Sequence, residues 1–496
     1  DEAVADVDLY FRAFKYAFGP YNYMGGDDFF DELHEKILEE LNQYKGKNIR
    51  TSVLKDIMDK HMAAVQDAHM NGGNKYFTNQ YRYTYFYCTD QYYALDEGGF
   101  YKLIDGEKWY YVCCDNDVVE MKPTMTQDGK IAYSLVRFCP IADENGKTLP
   151  NKNEIVLRNE KTEKKQIVTW IKNKTYGYVN GTDYNFIQEN GITYISQRGF
   201  IFSGDEYSQA LNEYVQAGKK ARNSNVIIFD FRSHKGGGSD EMYSSFARGI
   251  TGKNIEFRQF HAVRRNALSQ QYSTLLGKEQ FEVIKNDSGH VTKNDIPIII
   301  LVDEDCGSGG DEVFCVTRTL ENVIVIGSNN GGLHINDVQQ YNLPNSGISF
   351  NMGGRFWPHY SMENLDGIGN EPDIWCNPAD ALDIALKMIV NEGLATKAET
   401  DGLLKKMPIE FSNDITLKIG NYSIKAGGGF GGIGNIGYVY FKDKIVTDFT
   451  VTVLDDTCGN VINDNGKIKI IPKAEGECTF NVYYKNVYAT FKCRIH

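Results

Sequence analysis

Three nearly unbroken apolar segments, Val226–Phe231, Ile296–Val302 and Val323–Ile326, are separated by stretches of helical periodicity. A strand that is apolar on both faces must be covered on both faces, so this alternation predicts an α/β core with a largely parallel sheet. A further strand, Ile192–Ser196, leads into an amphipathic helix through Leu211, Tyr214 and Val215, and a helix over Ala379–Val390 closes the region. The longest apolar run, Ile296–Val302, contains Pro297 and falls far short of the ~20 residues that cross a bilayer. It fits a buried strand.

The flanks read differently, and together they divide the chain into four parts. Residues 1–75 read as helices. Phe29, Phe30, Leu33, Ile37, Leu38 and Leu41 recur at helical spacing, and Thr51 is placed to cap a second helix through Leu54, Ile57, Met58 and Met62 that ends near His69. Residues 76–190 carry short Tyr- and Val-rich runs punctuated by Asp-Gly and Asn-Gly, the pattern of a β-rich insert. The α/β core occupies residues 191–400. From 401 to 496, alternating strands with Gly-rich turns such as Gly427–Gly434 predict an all-β, immunoglobulin-like domain.

Charge and cysteine content exclude several classes. With 53 Lys+Arg against 66 Asp+Glu, the net charge of −13 and the lack of a basic block argue against a nucleic-acid partner. The 10 cysteines are too dispersed for a disulfide scaffold, and no Cys-x-x-Cys pair suggests zinc. One bridge among Cys458, Cys478 and Cys493 is compatible with their spacing. His34-Glu35 lacks the second histidine of a metalloprotease helix, so no metal or other cofactor is expected. The sequence begins at Asp1 rather than Met and is rich in Tyr and Gly, which leads us to expect an extracytoplasmic protein whose signal segment has been removed.

The segment Asp303-Glu304-Asp305-Cys306-Gly307-Ser308-Gly309-Gly310-Asp311-Glu312 follows a buried strand and precedes a helix carrying Val313, Phe314 and Thr317. A serine at that junction stands at the carboxyl end of a strand, where open α/β sheets bind ligands. The helix N-terminus offers N–H groups to an oxyanion. The plain alternative is a capped helix with Asp311 and Glu312 as ordinary first-turn acids and Asp303–Asp305 as a solvated strand end. After Val226–Phe231 comes Arg232-Ser233-His234-Lys235-Gly236-Gly237-Gly238, whose glycines suit an oxyanion loop beside Ser308, or otherwise a tight turn with His234 at the surface. Cys306 is expected buried.

These two clusters, in this order, resemble peptidase family S41, the C-terminal processing and tricorn-like serine proteases. Gln66-Asp67-Ala68-His69 resembles the family's D-x-H signature, Gly369-Asn370-Glu371-Pro372-Asp373-Ile374 its G-x-x-P-D-I segment, and Val323–Gly327 its strand into a glycine turn. The likeness spans roughly residues 50–395 outside the insert. It implies a ClpP/crotonase-like core and hydrolysis of peptide bonds by a serine endopeptidase. The processing proteases take their base from a lysine downstream of the serine, yet this chain has no lysine between Lys293 and Lys387. The tricorn-like version therefore applies by resemblance: Ser308 attacks, His69 accepts the proton, and Asp366 orients the imidazole. Glu363 is a substitute acid and His334 a substitute base. Gly236 or Gly237, with Gly309, would bind the oxyanion, and the partner would be a peptide or protein substrate. Family members often carry a PDZ domain, and Glu154–Trp170 could be the last strands of a degenerate one. The competing reading is a non-catalytic peptide- or glycan-binding relative.

Overall fold

The computed structural model describes residues 1–70, 84–89, 91–115, 119–126, 128–140, 152–172, 184–199, 204–237, 239–255, 259–264, 281–286, 291–317, 319–357, 363–407, 410–432, 434–455, 457–485 and 487–495. The chain folds as two compact units, one built mainly from Asp1–Tyr176 and Thr193–Leu394, the other from Ile187–Ile192 and Ala395–His496. Among the described residues no helix is long and apolar enough to cross a membrane.

At the centre of the first unit, the strands Val226–Asp230, Ile298–Val302, Val323–Gly327 and Ile374–Trp375 pair in parallel in that order. All ten residues of the first two strands are buried, which is why they read as unbroken apolar runs rather than as an alternation. Helices α4 (Asp205–Ala221), α5 (Ser239–Thr251) and α6 (Gly309–Thr317) share a core with them, in which Phe229, Ile298, Ile300 and Val302 meet Tyr214, Phe246, Val313 and Val316. Each such side chain contributes about 1.5–3 kcal/mol through burial. Beyond Ile374–Trp375 the same sheet continues into Val119–Met125, through Trp375 beside Thr124, and then Ile131–Pro140. The described strands between residues 84 and 189 are thus divided between this sheet and a separate antiparallel sheet of Ala94–Asp96, Gly99–Ile104, Glu107–Cys114, Lys152–Arg158 and Glu163–Thr169.

At the N-terminus, helices α1 (Glu2–Ala17), α2 (Gly26–Asn42) and α3 (Thr51–Met62) enclose an aromatic core of Tyr10, Phe14, Phe18 and Phe30. Thr51 does not cap α3. Arg50 holds the cap position without a side-chain bond, while the Thr51 hydroxyl donates to the Ser346 carbonyl at 3.4 Å. Nor does α3 reach His69: it ends at Met62, and His69 lies in a separate 3-10 turn, Ala68–Met70. The aromatic core extends onto the hairpin Ile335–Asn342/Ser349–Phe356, with the Tyr10 and Phe350 rings 4.7 Å apart. Val65, Met70 and Ile335 belong to the same core, so the hydrophobic effect delivers the His69 turn to the start of that hairpin.

The second unit opens with α8 (Lys397–Lys406), capped by a reciprocal Thr396–Glu399 box; α7 (Ala381–Asn391) precedes it in the first unit. The strand pattern expected from residue 401 therefore starts later, at Glu410–Phe411. Two sheets follow, one centred on Gly476–Tyr484 and Val487–Ile495, the other on Ile415–Ile419 and Ile436–Phe441. Their inward residues, including Ile415, Leu417, Ile419, Phe480 and Phe491, fill one core by simple period-two alternation.

Candidate active site

The fully buried Ile298–Val302 strand aims the following loop at the carboxyl edge of the sheet. Ser308 sits immediately before α6, half-buried, with φ +56°, an unusual conformation for a residue with a side chain. The Gly236 loop after Val226–Asp230 lies directly against it. A Cβ on Gly236 would stand 2.8 Å from Ser308 Cβ and 3.3 Å from Ser308 Oγ, so no larger residue fits there without displacing the serine. The structure thus brings together the two glycine clusters that the sequence paired. Gly236 and Gly237 both have φ +100°. The Gly236 N–H donates to His234 Nδ1 at 3.0 Å, so it is turned away from an oxyanion role. Gly237 follows in the same loop, and Gly309 stands at the first position of α6, where N–H groups have no helical acceptor.

His234 is not at the surface. It is fully buried, and burial, helped by the Arg198 guanidinium, pushes its pKa down to about 3, so the ring is neutral. Its carbonyl accepts the Gly307 N–H at 3.0 Å, stitching the two loops together. Asp303, expected as a solvated strand end, is also fully buried and accepts from Ser233 N at 2.7 Å and Ser233 Oγ at 3.2 Å. Beneath them Asp230 is buried between Arg198 and Arg232. Burial alone would raise its pKa, but the two guanidiniums hold it well below the usual carboxylate range. Arg198 also bonds the Arg232 carbonyl at 2.6 Å and accepts the Lys235 N–H at 3.0 Å, fixing both ends of the glycine loop's approach. Cys306 is buried, and burial raises its thiol pKa, which leaves it a poor nucleophile.

The segment after Val323–Gly327 joins the two halves of the site. Asp311, in the first turn of α6, accepts from Gly332 N at 2.9 Å and Leu333 N at 2.8 Å. Asp366 accepts from the next two amides, His334 N at 2.7 Å and Ile335 N at 2.9 Å. Four consecutive N–H groups are therefore divided between a carboxylate on the helix that follows Ser308 and one on the Asp366 loop. Gly331 N also donates to the Cys306 carbonyl at 2.7 Å. Gly332, at φ +64°, allows the close passage, since a Cβ there would lie 2.5 Å from Gly369 N. Both acids are fully buried. Burial pushes Asp311 up to about 8 against the opposing pull of its backbone bonds, and pushes Asp366 up to about 7 against those from Ala68, Ile335 and His334.

The other oxygen of Asp366 accepts the Ala68 N–H, one residue before His69. Gln66 Nε2 donates to the carbonyls of Asn364 at 3.0 Å and Asp366 at 2.9 Å, and Asn364 Nδ2 donates back to the Gln66 carbonyl at 3.2 Å. Asp67 caps the 3-10 turn through His69 N at 2.8 Å and Met70 N at 3.2 Å. The ring nitrogen and carboxylate oxygens of His69, Asp67 and Asp366 lie within 4.8 Å of one another. Three donors so spaced could accept a divalent ion, although five backbone N–H groups (His69, Met70, Ala68, His334, Ile335) already bond Asp67 Oδ1 and both oxygens of Asp366. Burial, and then the charge of Asp366, raises the Asp67 pKa.

Of the substitutes, Glu363 is exposed, whereas Asp366 is at 0% exposure. His334 is buried with Nε2 accepting from Asn370 Nδ2 at 3.2 Å and 4.0 Å from Asp311 Oδ1. Sequence reasoning treated Asp311 as an ordinary first-turn acid and Asp67 only as part of a motif. The available signal was their position, each one turn or less from a residue already singled out.

Residues 177–375 match the model of peptidase family S41. That span contains Ser308, both glycine loops, Asp311, His334 and Asp366; His69 lies outside it. No curated protein sequence matches the chain. Solved structures similar to it include mature CPAF (12% identity, TM-score 0.42, covering 79% of this chain and 97% of that one). Others are the photosystem II D1 C-terminal processing protease (14% identity, TM-score 0.36, 81% and 99%) and the tricorn protease (13% identity, TM-score 0.36, 79% and 37%). Over residues 177–375, then, this chain is similar to peptidase family S41.

Proposed function

We propose that the protein is a serine endopeptidase of the tricorn-like type, hydrolysing peptide bonds with Ser308 as nucleophile, His69 as general base and Asp366 as the orienting acid. One observation carries the reading. Asp311 and Asp366 share four successive amides of residues 332–335, which ties the serine's helix and the histidine's turn to the same short segment. In the first half-reaction His69 takes the Ser308 proton as Oγ adds to the scissile carbonyl, and then returns it to the leaving amine. Asp366 stabilises the imidazolium formed between those two events. The Gly237 and Gly309 N–H groups receive the oxyanion, while Gly236, too close to Ser308 for any side chain, keeps the loop against it.

Asp67 adds a second carboxylate beside His69, and its capping bonds set the turn from which the imidazole projects. The high pKa of Asp366 means that the His69–Asp366 pair gains its working charge state as pH rises through about 7. In the same reading the protein acts on peptide or protein substrates outside the cytoplasm, and the second unit is an immunoglobulin-like accessory module.

A fluorophosphonate tests the proposal. We expect covalent labelling of Ser308 in the wild type, lost in Ser308→Ala and lost or strongly slowed in His69→Ala. An unlabelled wild type that still binds peptide would instead identify a non-catalytic relative.

A further inference from the structure

Cys478 and Cys493 face each other across the antiparallel pair Gly476–Tyr484/Val487–Ile495. Directly opposed residues point to the same side of a sheet, with Cα atoms about 4.5 or 5.5 Å apart depending on the hydrogen-bonding site. Both values fall inside the ~4.4–6.8 Å window that a disulfide spans. The two thiols belong to one buried core, Cys478 fully buried and Cys493 at 5% exposure. Cys458 lies near: its Sγ packs over Gly476, two residues before Cys478 on the same face of the strand. Cys478 Sγ in turn donates to the Gly459 carbonyl at 3.8 Å.

We propose that Cys478 and Cys493 are an oxidation site, joined by a cross-strand disulfide when the chain folds in the presence of a small-molecule disulfide. The chemistry is two successive exchanges. One cysteine thiolate attacks the small disulfide and expels a thiolate, forming a mixed disulfide. The second cysteine thiolate then attacks the protein-bound sulfur and expels the other half. The cysteines lose two protons and two electrons in all, and the disulfide is reduced to two thiols. Burial, then the neighbouring Cys478, pushes Cys493 up to about 11, so the folded pair is slow to react and the bond forms before the strands close. Cys458 serves as the nearby alternative partner, not as the favoured one, because no strand register sets it opposite either thiol. This inference concerns the second unit and is independent of the peptidase reading.

The experiment is to unfold the full chain and refold it with glutathione and glutathione disulfide, then alkylate and map it with trypsin under non-reducing conditions. Lys485 and Lys492 separate the two cysteines into different peptides. We expect a Cys478–Cys493 linked pair, a thermal midpoint on the order of 10 °C higher than that of the reduced chain, and retention of both in Cys458→Ala. In Cys493→Ala the linked pair and the shift should vanish. Alkylation of both thiols in the oxidised wild type, or a bridge from Cys478 to Cys458, overturns the proposal, and both are read on the wild type even if a variant fails to fold.

Discussion

The carboxyl edge of the central sheet and the interior of the C-terminal unit are built on opposite principles. Around Ser308 the chain buries Asp230, Asp303, Asp311, Asp366, Arg198, Arg232, His234 and His334, each with a hydrogen-bonded side chain. In the C-terminal unit, among the described residues, the buried polar side chains are Thr400 and Asn481, and the core is aliphatic and aromatic. Buried charge costs stability unless it is bonded. A fold that places so many charges at one sheet edge therefore marks that edge as the place where geometry is being held for chemistry. The C-terminal interior needs only enough apolar area to close.

The sharpest way to break this comparison is to remove one hydroxyl. Ser308→Ala should lower kcat by about 10⁶-fold with no change in thermal stability beyond about ±0.5 kcal/mol, as measured by peptide hydrolysis and calorimetry on the same preparation. Asp366→Asn keeps the shape of the buried acid but not its charge, and should cost about 10⁴-fold in kcat, with loss of either the Ala68 amide bond or both the His334 and Ile335 amide bonds visible in hydrogen exchange. The converse substitution lies in the other region. Phe480→Ala should destabilise the C-terminal unit by about 3–5 kcal/mol while leaving kcat/KM unchanged under conditions where the unit stays folded. Equal losses of activity in Phe480→Ala and Asp366→Asn would erase the distinction between the two regions.

A smaller effect sharpens the role of the shared segment. Asp311→Asn leaves one of the Gly332 and Leu333 amides facing an NH₂ group, and a displacement of about 1 Å at the site should cost about 10²-fold in kcat/KM. Its labelling by a fluorophosphonate should slow in proportion. The smallest expected change is with pH. Asp366 is raised to about 7, so it protonates as pH falls through that value and the carboxylate that would stabilise the His69 imidazolium is lost. The kcat/KM profile should therefore fall about tenfold per unit below pH 7, and Asp366→Asn should lack that limb.

What was legible in the sequence follows the same divide. Val226–Phe231 and Ile298–Val302 announce themselves because both faces of a central parallel strand are apolar, and Ile415–Ile419 because one face is. The serine and its glycine loops could be located because each follows such a strand. Asp303 was misread as a solvated strand end and Asp311 as an ordinary first-turn acid because a buried acid looks in sequence like an exposed one. Only the amides of Ser233, Gly332 and Leu333, 21 or more positions away, distinguish the two. Thr51 looked like a cap, but a tertiary bond to Ser346 took its hydroxyl. The join of Val119–Met125 to the central sheet was invisible for a related reason: it rests on Thr124 meeting Trp375, a pairing across about half the chain.

The distance between His69 Nε2 and Ser308 Oγ in a crystal of the wild-type protein tests the central claim most directly. Our account predicts about 3 Å, or slightly more without substrate, with the 332–335 segment bonded to both acids. A crystal that set the imidazole and the hydroxyl on opposite sides of that segment, with the serine nonetheless hydrolysing peptides, would contradict it and move the general base to another residue.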